Sequence, residues 1–260
     1  MPGIKISKAT KISAVVVTLT IVIALTLLHK HAQAPNISNM QQTVSTQPDK
    51  SNQDQKFNKN KYSLTEPGSL WFIANKHFGL PSNYKPSDLE IPDVPHIHAA
   101  AQGNTLRHIA IEDLKKLVTA ANSTGLQLEF GSGFRSYEYQ SQLYNGYVSS
   151  MGRAEADRSS ARPGHSEHQT GLALDFLRTD DACHLESCFA ETPEGKWLAA
   201  NAYKYGFILR YPKDKESVTG YMYEPWHFRY VGTDLAIELH NKNIETLEEY
   251  FETGPAPDYL

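Results

Sequence analysis

The chain divides by its apolar pattern before any motif is considered. From Ile12 to Leu28 no residue is charged, and Lys5, Lys8 and Lys11 precede the run. Basic residues followed by an apolar run mark an export signal. The run is long for the core of a cleaved signal and at the short limit for a membrane span. Ala32-Gln33-Ala34 resembles a cleavage site but lies directly before Pro35. Residues 1–34 are therefore expected to be an export signal or a membrane anchor. From Pro35 to Lys61 the chain is rich in Asn, Gln, Ser, Thr, Lys and Asp. Such a stretch buries too little apolar surface to fold, which predicts a disordered tether over residues 35–61. The folded domain is expected over 62–260.

Within that domain the period of the apolar positions changes repeatedly. Leu70 to Ile73 reads as core, and four prolines between Pro81 and Pro95 predict an irregular stretch that contains His96 and His98. Leu106, Ile109, Ala110, Leu114, Leu117, Val118 and Ala121 make one stripe, which predicts a helix over Leu106–Asn122, ended by Gly125. Leu126 to Phe130 alternates as a strand. A helix is expected from Tyr137 to Tyr147, then a polar surface loop from Met151 to Gly164. Leu172, Leu174 and Phe176 alternate after Gly171, so a turn leading into a strand is expected there. Thr192-Pro193-Glu194 reads as a helix start and Gly206 as its stop. Phe207–Arg210 and Trp226–Tyr230 read as strands, and Asp234–His240 and Thr246–Phe251 as closing helices. The expected fold is α+β: a small antiparallel sheet surrounded by helices.

Charge narrows the partners. The formal net charge is -4, but the first 34 residues carry four lysines and no acid, and removing them leaves 21 basic residues against 29 acidic ones. A negative domain is a poor nucleic-acid binder, and none is expected; the domain is expected to be a monomer. Two cysteines, Cys183 and Cys188, flank His184. Export to an oxidising compartment favours a local disulfide between them; a second metal site with His184 is the alternative.

Two stretches carry chemistry. In His165-Ser166-Glu167-His168-Gln169-Thr170-Gly171-Leu172-Ala173-Leu174-Asp175, the strand reading puts Asp175 on the face opposite Leu174 and Phe176, beside His168. An imidazole nitrogen with a carboxylate oxygen is half of a zinc site. In Glu224-Pro225-Trp226-His227, His227 supplies a third ligand, and three protein ligands leave one position open, as catalytic zinc requires. Glu224, three residues earlier, is placed to take a proton from water that zinc acidifies.

Ser166-x-His168-x-x-Gly171-x-Ala173-x-Asp175 followed by Glu224-x-x-His227 resembles the zinc D,D- and L,D-carboxypeptidases of bacterial cell walls, the VanY-like group, within a wider set that includes lysostaphin-type peptidases and the amino-terminal domain of hedgehog proteins. Ser132-Gly133-Phe134-Arg135-Ser136-Tyr137-x-x-Gln140 extends the likeness upstream. The resemblance implies one catalytic zinc held by His168, Asp175 and His227, with Glu224 as general base. It implies that Arg135 holds the scissile carbonyl oxygen or a peptide carboxylate, a task for a guanidinium that never deprotonates. Gln140 matches a substrate-contacting glutamine, and Ser166 is a candidate hydrogen-bond partner of the substrate. The implied reaction removes the C-terminal D-alanine from peptidoglycan stem peptides, outside the cytoplasm, with residues 1–34 in the membrane or removed. An endopeptidase cutting inside the stem or cross-bridge is the alternative among enzymes. A catalytically inactive wall-binding zinc module is the alternative outside them.

Overall fold

The computed structural model of the protein describes residues 57–97 and 103–260. The expected export segment, most of the expected tether and His98 lie outside the described residues. Among the described residues, no helix is long and apolar enough to cross a membrane.

Packing begins earlier than Tyr62. Phe57 stacks on Trp71 with ring centroids 5.6 Å apart, and Lys59 donates to the Tyr250 carbonyl at 2.7 Å. Trp71 is 1 % exposed and donates its indole N–H to the Val231 carbonyl at 2.9 Å. The Leu70–Ile73 stretch is core because this one aromatic ties the start of the domain to its end.

A two-residue strand β1 (Leu89–Glu90) pairs antiparallel with β2 (Leu106–Arg107). Helix α1 (His108–Asn122) therefore starts two residues later than its apolar stripe suggests. Its buried face holds Ala110, Ile111, Leu114, Leu117, Val118 and Ala121, while Ile109 stays 44 % exposed. Strand β3 (Leu128–Ser132) follows, buried from Leu128 through Gly131 rather than alternating. Residues 95–97 cover its edge, since Phe130 N–H donates to the Pro95 carbonyl and Ile97 N–H to the Phe130 carbonyl.

Helix α2 (Tyr137–Met151) is capped by Ser136, whose side chain accepts from the Tyr139 N–H. The expected loop after it is instead helical: Gly152, at φ 83°, breaks the chain, and α3 (Arg153–Ser159) follows. Only Ala156 of α3 is buried, so its composition gives no apolar period to read. A short 3-10 turn (Glu167–Thr170) ends at Gly171 in the left-handed region, φ 67°, where a Cβ would lie 2.9 Å from a Leu89 methyl. Strand β4 (Ala173–Arg178) starts there.

Helix α4 (Pro193–Asn201) has Thr192 as its cap, accepting from the Gly195 N–H at 3.0 Å, and runs through a 3-10 turn to Gly206. Strand β5 (Phe207–Leu209), the single-turn α5 (Glu216–Thr219), strand β6 (His227–Tyr230), α6 (Thr233–Lys242) and α7 (Leu247–Phe251) complete the domain. The four-stranded sheet has order β3-β4-β6-β5, antiparallel throughout. The architecture is α+β, as expected. The β4–β6 register decides the chemistry, because it sets Asp175 directly opposite His227.

Candidate metal centre

Three side chains converge on the sheet. His168 comes from the 3-10 turn, Asp175 from the middle of the sheet and His227 from the first position of β6. They are 3–4 % exposed, and a nitrogen or oxygen from each lies within 4.8 Å of the others. His168 Nε2 is 3.5 Å from Asp175 Oδ2, and His227 Nδ1 is 3.4 Å from Asp175 Oδ1. A tetrahedral zinc at about 2.0–2.1 Å from each donor holds neighbouring donors roughly 3.4 Å apart. Asp175 Oδ1 is buried without a hydrogen-bond partner, a costly state unless a cation takes its lone pairs. The residues therefore fit a zinc ion.

The surroundings select which atom of each ligand faces the ion. His168 Nδ1 lies 2.7 Å from the Gly133 carbonyl, to which it donates, leaving Nε2 for metal. Ser132 donates to Asp175 Oδ2 at 2.6 Å. A register shift between Phe130 and Ser132 brings that serine opposite Asp175. At Gly131, within the shift, a Cβ would lie 2.6 Å from Leu177, so only glycine fits.

Sequence reasoning passed over Glu167, although it stands inside the metal motif. Glu167 Oε1 accepts from Arg210 and Arg229, both at 2.8 Å, and all three side chains are 0 % exposed. Its other oxygen faces His227 Nε2 at 3.5 Å, too long for a hydrogen bond but close for a charge contact, which leaves His227 Nδ1 toward the metal position. Arg210 also bridges to Glu248, and Arg229 binds the Leu70 and Phe72 carbonyls. One signal was available: an arginine closes or interrupts each apolar strand, at Arg210 and Arg229, and a buried arginine demands a carboxylate.

Glu224 Oε2 lies 3.7 Å from His227 Nδ1. Burial raises its carboxyl to about 7, against the pull of His227 and with Asp175 adding to the rise. Burial opposes charge on His227, but Asp175 and Glu167 outweigh it and raise the imidazole to about 9. Burial also works to raise Asp175, yet the His168 and His227 rings hold it well below the usual carboxylate range. Burial lowers His168, and Arg135 adds to that.

These shifts have a consequence for metal uptake. The folded value of His227 lies above its unfolded 6.5, so its charge stabilises the metal-free protein fully below pH 6.5 and ceases to do so as pH passes about 9. Zinc competes with that proton. At pH 7, zinc binding should release at least one proton, and apparent affinity should climb roughly tenfold per pH unit toward 9. Calorimetry in buffers of different ionisation enthalpy reads the proton count; a count of zero contradicts the assignment of His227.

Arg135 stands at the edge of the triad, its Nη2 3.8 Å from Asp175 Oδ2. Gln140 differs from expectation. It is 1 % exposed, its Oε1 accepts from Arg135 Nη1 at 3.0 Å, and its Nε2 donates to Ser160 and the Ala161 carbonyl. It lines no part of the cavity and stands behind Arg135, because the start of α2 turns it inward. Ser166 lines the cavity and caps nothing with its side chain. His165 turns away, its Nδ1 2.8 Å from the Asn75 carbonyl, and His96 meets the Val94 carbonyl. Cys183 and Cys188 form a disulfide, and His184 pairs with Asp181, so no second metal site is assembled there. Among the described residues, the triad is the one group arranged to hold a metal.

The triad, Glu224, Arg135 and Ser166 share a cavity of about 420 Å³. Two histidines and a carboxylate with one side open, a buried carboxylate of raised pKa and a guanidinium define a zinc metallopeptidase of the α+β type. Residues 103–233 match the family model described as VanY, D-alanyl-D-alanine carboxypeptidase. The putative carboxypeptidase YodJ of Bacillus subtilis is 44% identical over 191 residues, covering 73% of this chain and 70% of that protein. Among solved structures, the LdcB LD-carboxypeptidase is 45% identical with a TM-score of 0.68, covering 72% of this chain and 87% of that one. The vancomycin-resistance D,D-pentapeptidase VanY, solved with Zn(II), is 31% identical with a TM-score of 0.56, covering 71% and 99%. The chain belongs to the VanY family of D-alanyl-D-alanine carboxypeptidases, and it is a zinc carboxypeptidase.

Proposed function

We propose that this carboxypeptidase releases the C-terminal D-alanine of peptidoglycan stem peptides, with His168 Nε2, Asp175 and His227 Nδ1 holding the zinc. Bound there, zinc supplies a Lewis acid that acidifies water and polarises a carbonyl. Glu224 takes the proton of the attacking water and passes it to the amine of the departing D-alanine. Arg135 holds negative charge on the substrate, as developing oxyanion or terminal carboxylate. Gln140 locks the Arg135 rotamer, and Ser166 offers a hydrogen bond to the peptide. The observation that carries the reading is the buried, unpartnered Asp175 Oδ1 beside His227 Nδ1 and Glu224. An inactive wall-binding module has no use for a buried Glu224 at that position.

All of these residues come from one chain, which suits a monomer. Relatives of both kinds, an LD-carboxypeptidase at 45% identity and a D-alanyl-D-alanine carboxypeptidase at 44%, make the tetrapeptide and the pentapeptide the two stems to compare. Pure tetrapeptide and pentapeptide stems, incubated with the protein and read by mass, test this: one of them should lose a single alanine. Cleavage of a stem blocked at its carboxyl terminus would replace the reading by an endopeptidase. The same reading puts the domain outside the cytoplasm, held by Ile12–Leu28 as a membrane anchor with the polar 35–56 stretch as linker. Full-length protein should stay with membranes after a high-salt wash, and recovery of a shortened soluble form would show a cleaved signal instead.

A further inference from the structure

Helix α2 carries its pattern inside out. The residues it buries are Gln140 and Tyr144, both polar-tipped. Its large apolar side chains Tyr139, Leu143, Tyr147 and Met151 stand four apart on one ridge, and all four line the catalytic cavity. Tyr147 is 39 % exposed and Met151 43 %. Neither belongs to the hydrophobic core, and an exposed apolar row that continues a binding cavity marks a contact surface.

The ridge has a direction. Its first residue sits in the first turn of the helix, four positions after Arg135, whose guanidinium stands 3.8 Å from Asp175, and the others follow along the helix. Twelve residues of α-helix span about 18 Å. Five extended peptide residues span roughly 17 Å. A peptide whose carboxyl end lies at Arg135 and the triad therefore reaches Tyr147 and Met151 with its amino end. On the cavity's wall Leu185 is also exposed, at 39 %, from the loop that the Cys183–Cys188 disulfide closes.

We propose that the outer half of the α2 ridge, Tyr147 and Met151, binds the end of the substrate remote from the scissile bond: the first residues of the stem and the sugar that carries them. The inference rests on the function proposed above. Aliphatic peptide carbons suit Met151, and the C–H face of a pyranose ring suits the electron-rich face of Tyr147. The ridge gives a reason for a cavity that takes in Tyr147 and Met151 as well as the triad, in an enzyme that removes a single small residue. It makes the enzyme select stems still attached to wall sugar over free peptide.

The test compares two substrates sharing one scissile bond: the muramyl-linked stem of whichever length the mass assay shows to be shortened, and the N-acylated terminal dipeptide of that stem. The ratio of kcat/KM for the long over the short substrate should fall on the order of tenfold in Tyr147→Ala/Met151→Ala, chiefly through KM, the usual scale for a lost apolar contact. Tyr147→Phe, which keeps the ring, should retain the wild-type ratio. An unchanged ratio in the double variant overturns the proposal, as does an equal fall on both substrates. Calorimetric binding of the muramyl stem to the same zinc-loaded proteins keeps the surface testable apart from turnover. Wild-type binding that weakens about tenfold in the double variant supports the surface, even if no stem is cut and the proposed reaction is wrong. Equal binding by both proteins refutes it.

Discussion

Glu224→Gln should keep its zinc and its fold while turnover on stem peptide falls by about 10²–10⁴, the usual share of general acid–base catalysis. Gln has the size of Glu and its hydrogen-bonding reach, but cannot accept the proton. Glu224 lies 3.7 Å from His227 Nδ1, whereas the Asp175 carboxylate comes within 3.4 and 3.5 Å of the two imidazoles. That ordering favours Asp175 as the ligand and Glu224 as the base. Stability separates this effect from damage. The Glu224 carboxyl is raised from 4.5 to about 7 by burial, so its neutral form favours the fold fully below pH 4.5, and that contribution is lost as pH rises through about 7. Removing the charge relieves that cost, and metal-free Glu224→Gln should melt no lower than metal-free wild type at pH 8. Unchanged turnover would place the base elsewhere.

His227→Ala should lose zinc and activity together. Its imidazole is one of three donors, and its removal also leaves Asp175 Oδ1 and Glu167 Oε2 buried around a hole with no cation between them. Removing one partner from a buried charge cluster costs on the order of 3–5 kcal/mol, so the variant should also melt lower than Glu224→Gln. Elemental analysis after dialysis reads the metal, and a stoichiometric zinc content in His227→Ala would remove this residue from the ligand set.

The convergence of His168, Asp175 and His227 was readable because a strand after a glycine turn fixes faces by simple alternation, and because His227 and Asp175 stand at positions that antiparallel pairing can oppose. Such information is local and survives in the one-dimensional pattern. Glu167 was not readable in the same way. Its partners Arg210 and Arg229 are 43 and 62 positions away and become partners only when three segments meet in the core. Gln140, expected from the resemblance to contact substrate, is instead held by Arg135, Ser160 and the Ala161 carbonyl, the last two 20 and 21 positions away, contacts that the motif around it does not announce. Helix α3 was hidden by its composition, since one buried alanine leaves no periodic signal. The late start of α1 follows from Leu106 and Arg107 being drawn into pairing with Leu89 and Glu90, a contact between segments that no period along α1 announces. Order at Phe57 depends on a stacking partner in Trp71, so a polar stretch with one aromatic is pulled into the domain by its neighbour.

The claim at the centre is that one zinc sits between His168 Nε2, Asp175 and His227 Nδ1, with Glu224 close by but not bound to it. Anomalous X-ray scattering at the zinc edge, from crystals of the zinc-loaded protein, locates the ion directly. The expected map has a single peak at about 2.0–2.2 Å from those three side chains and beyond bonding distance of both Glu224 oxygens. A peak with Glu224 as a ligand, or one that leaves Asp175 uncoordinated, would contradict the assignment of ligands and base alike.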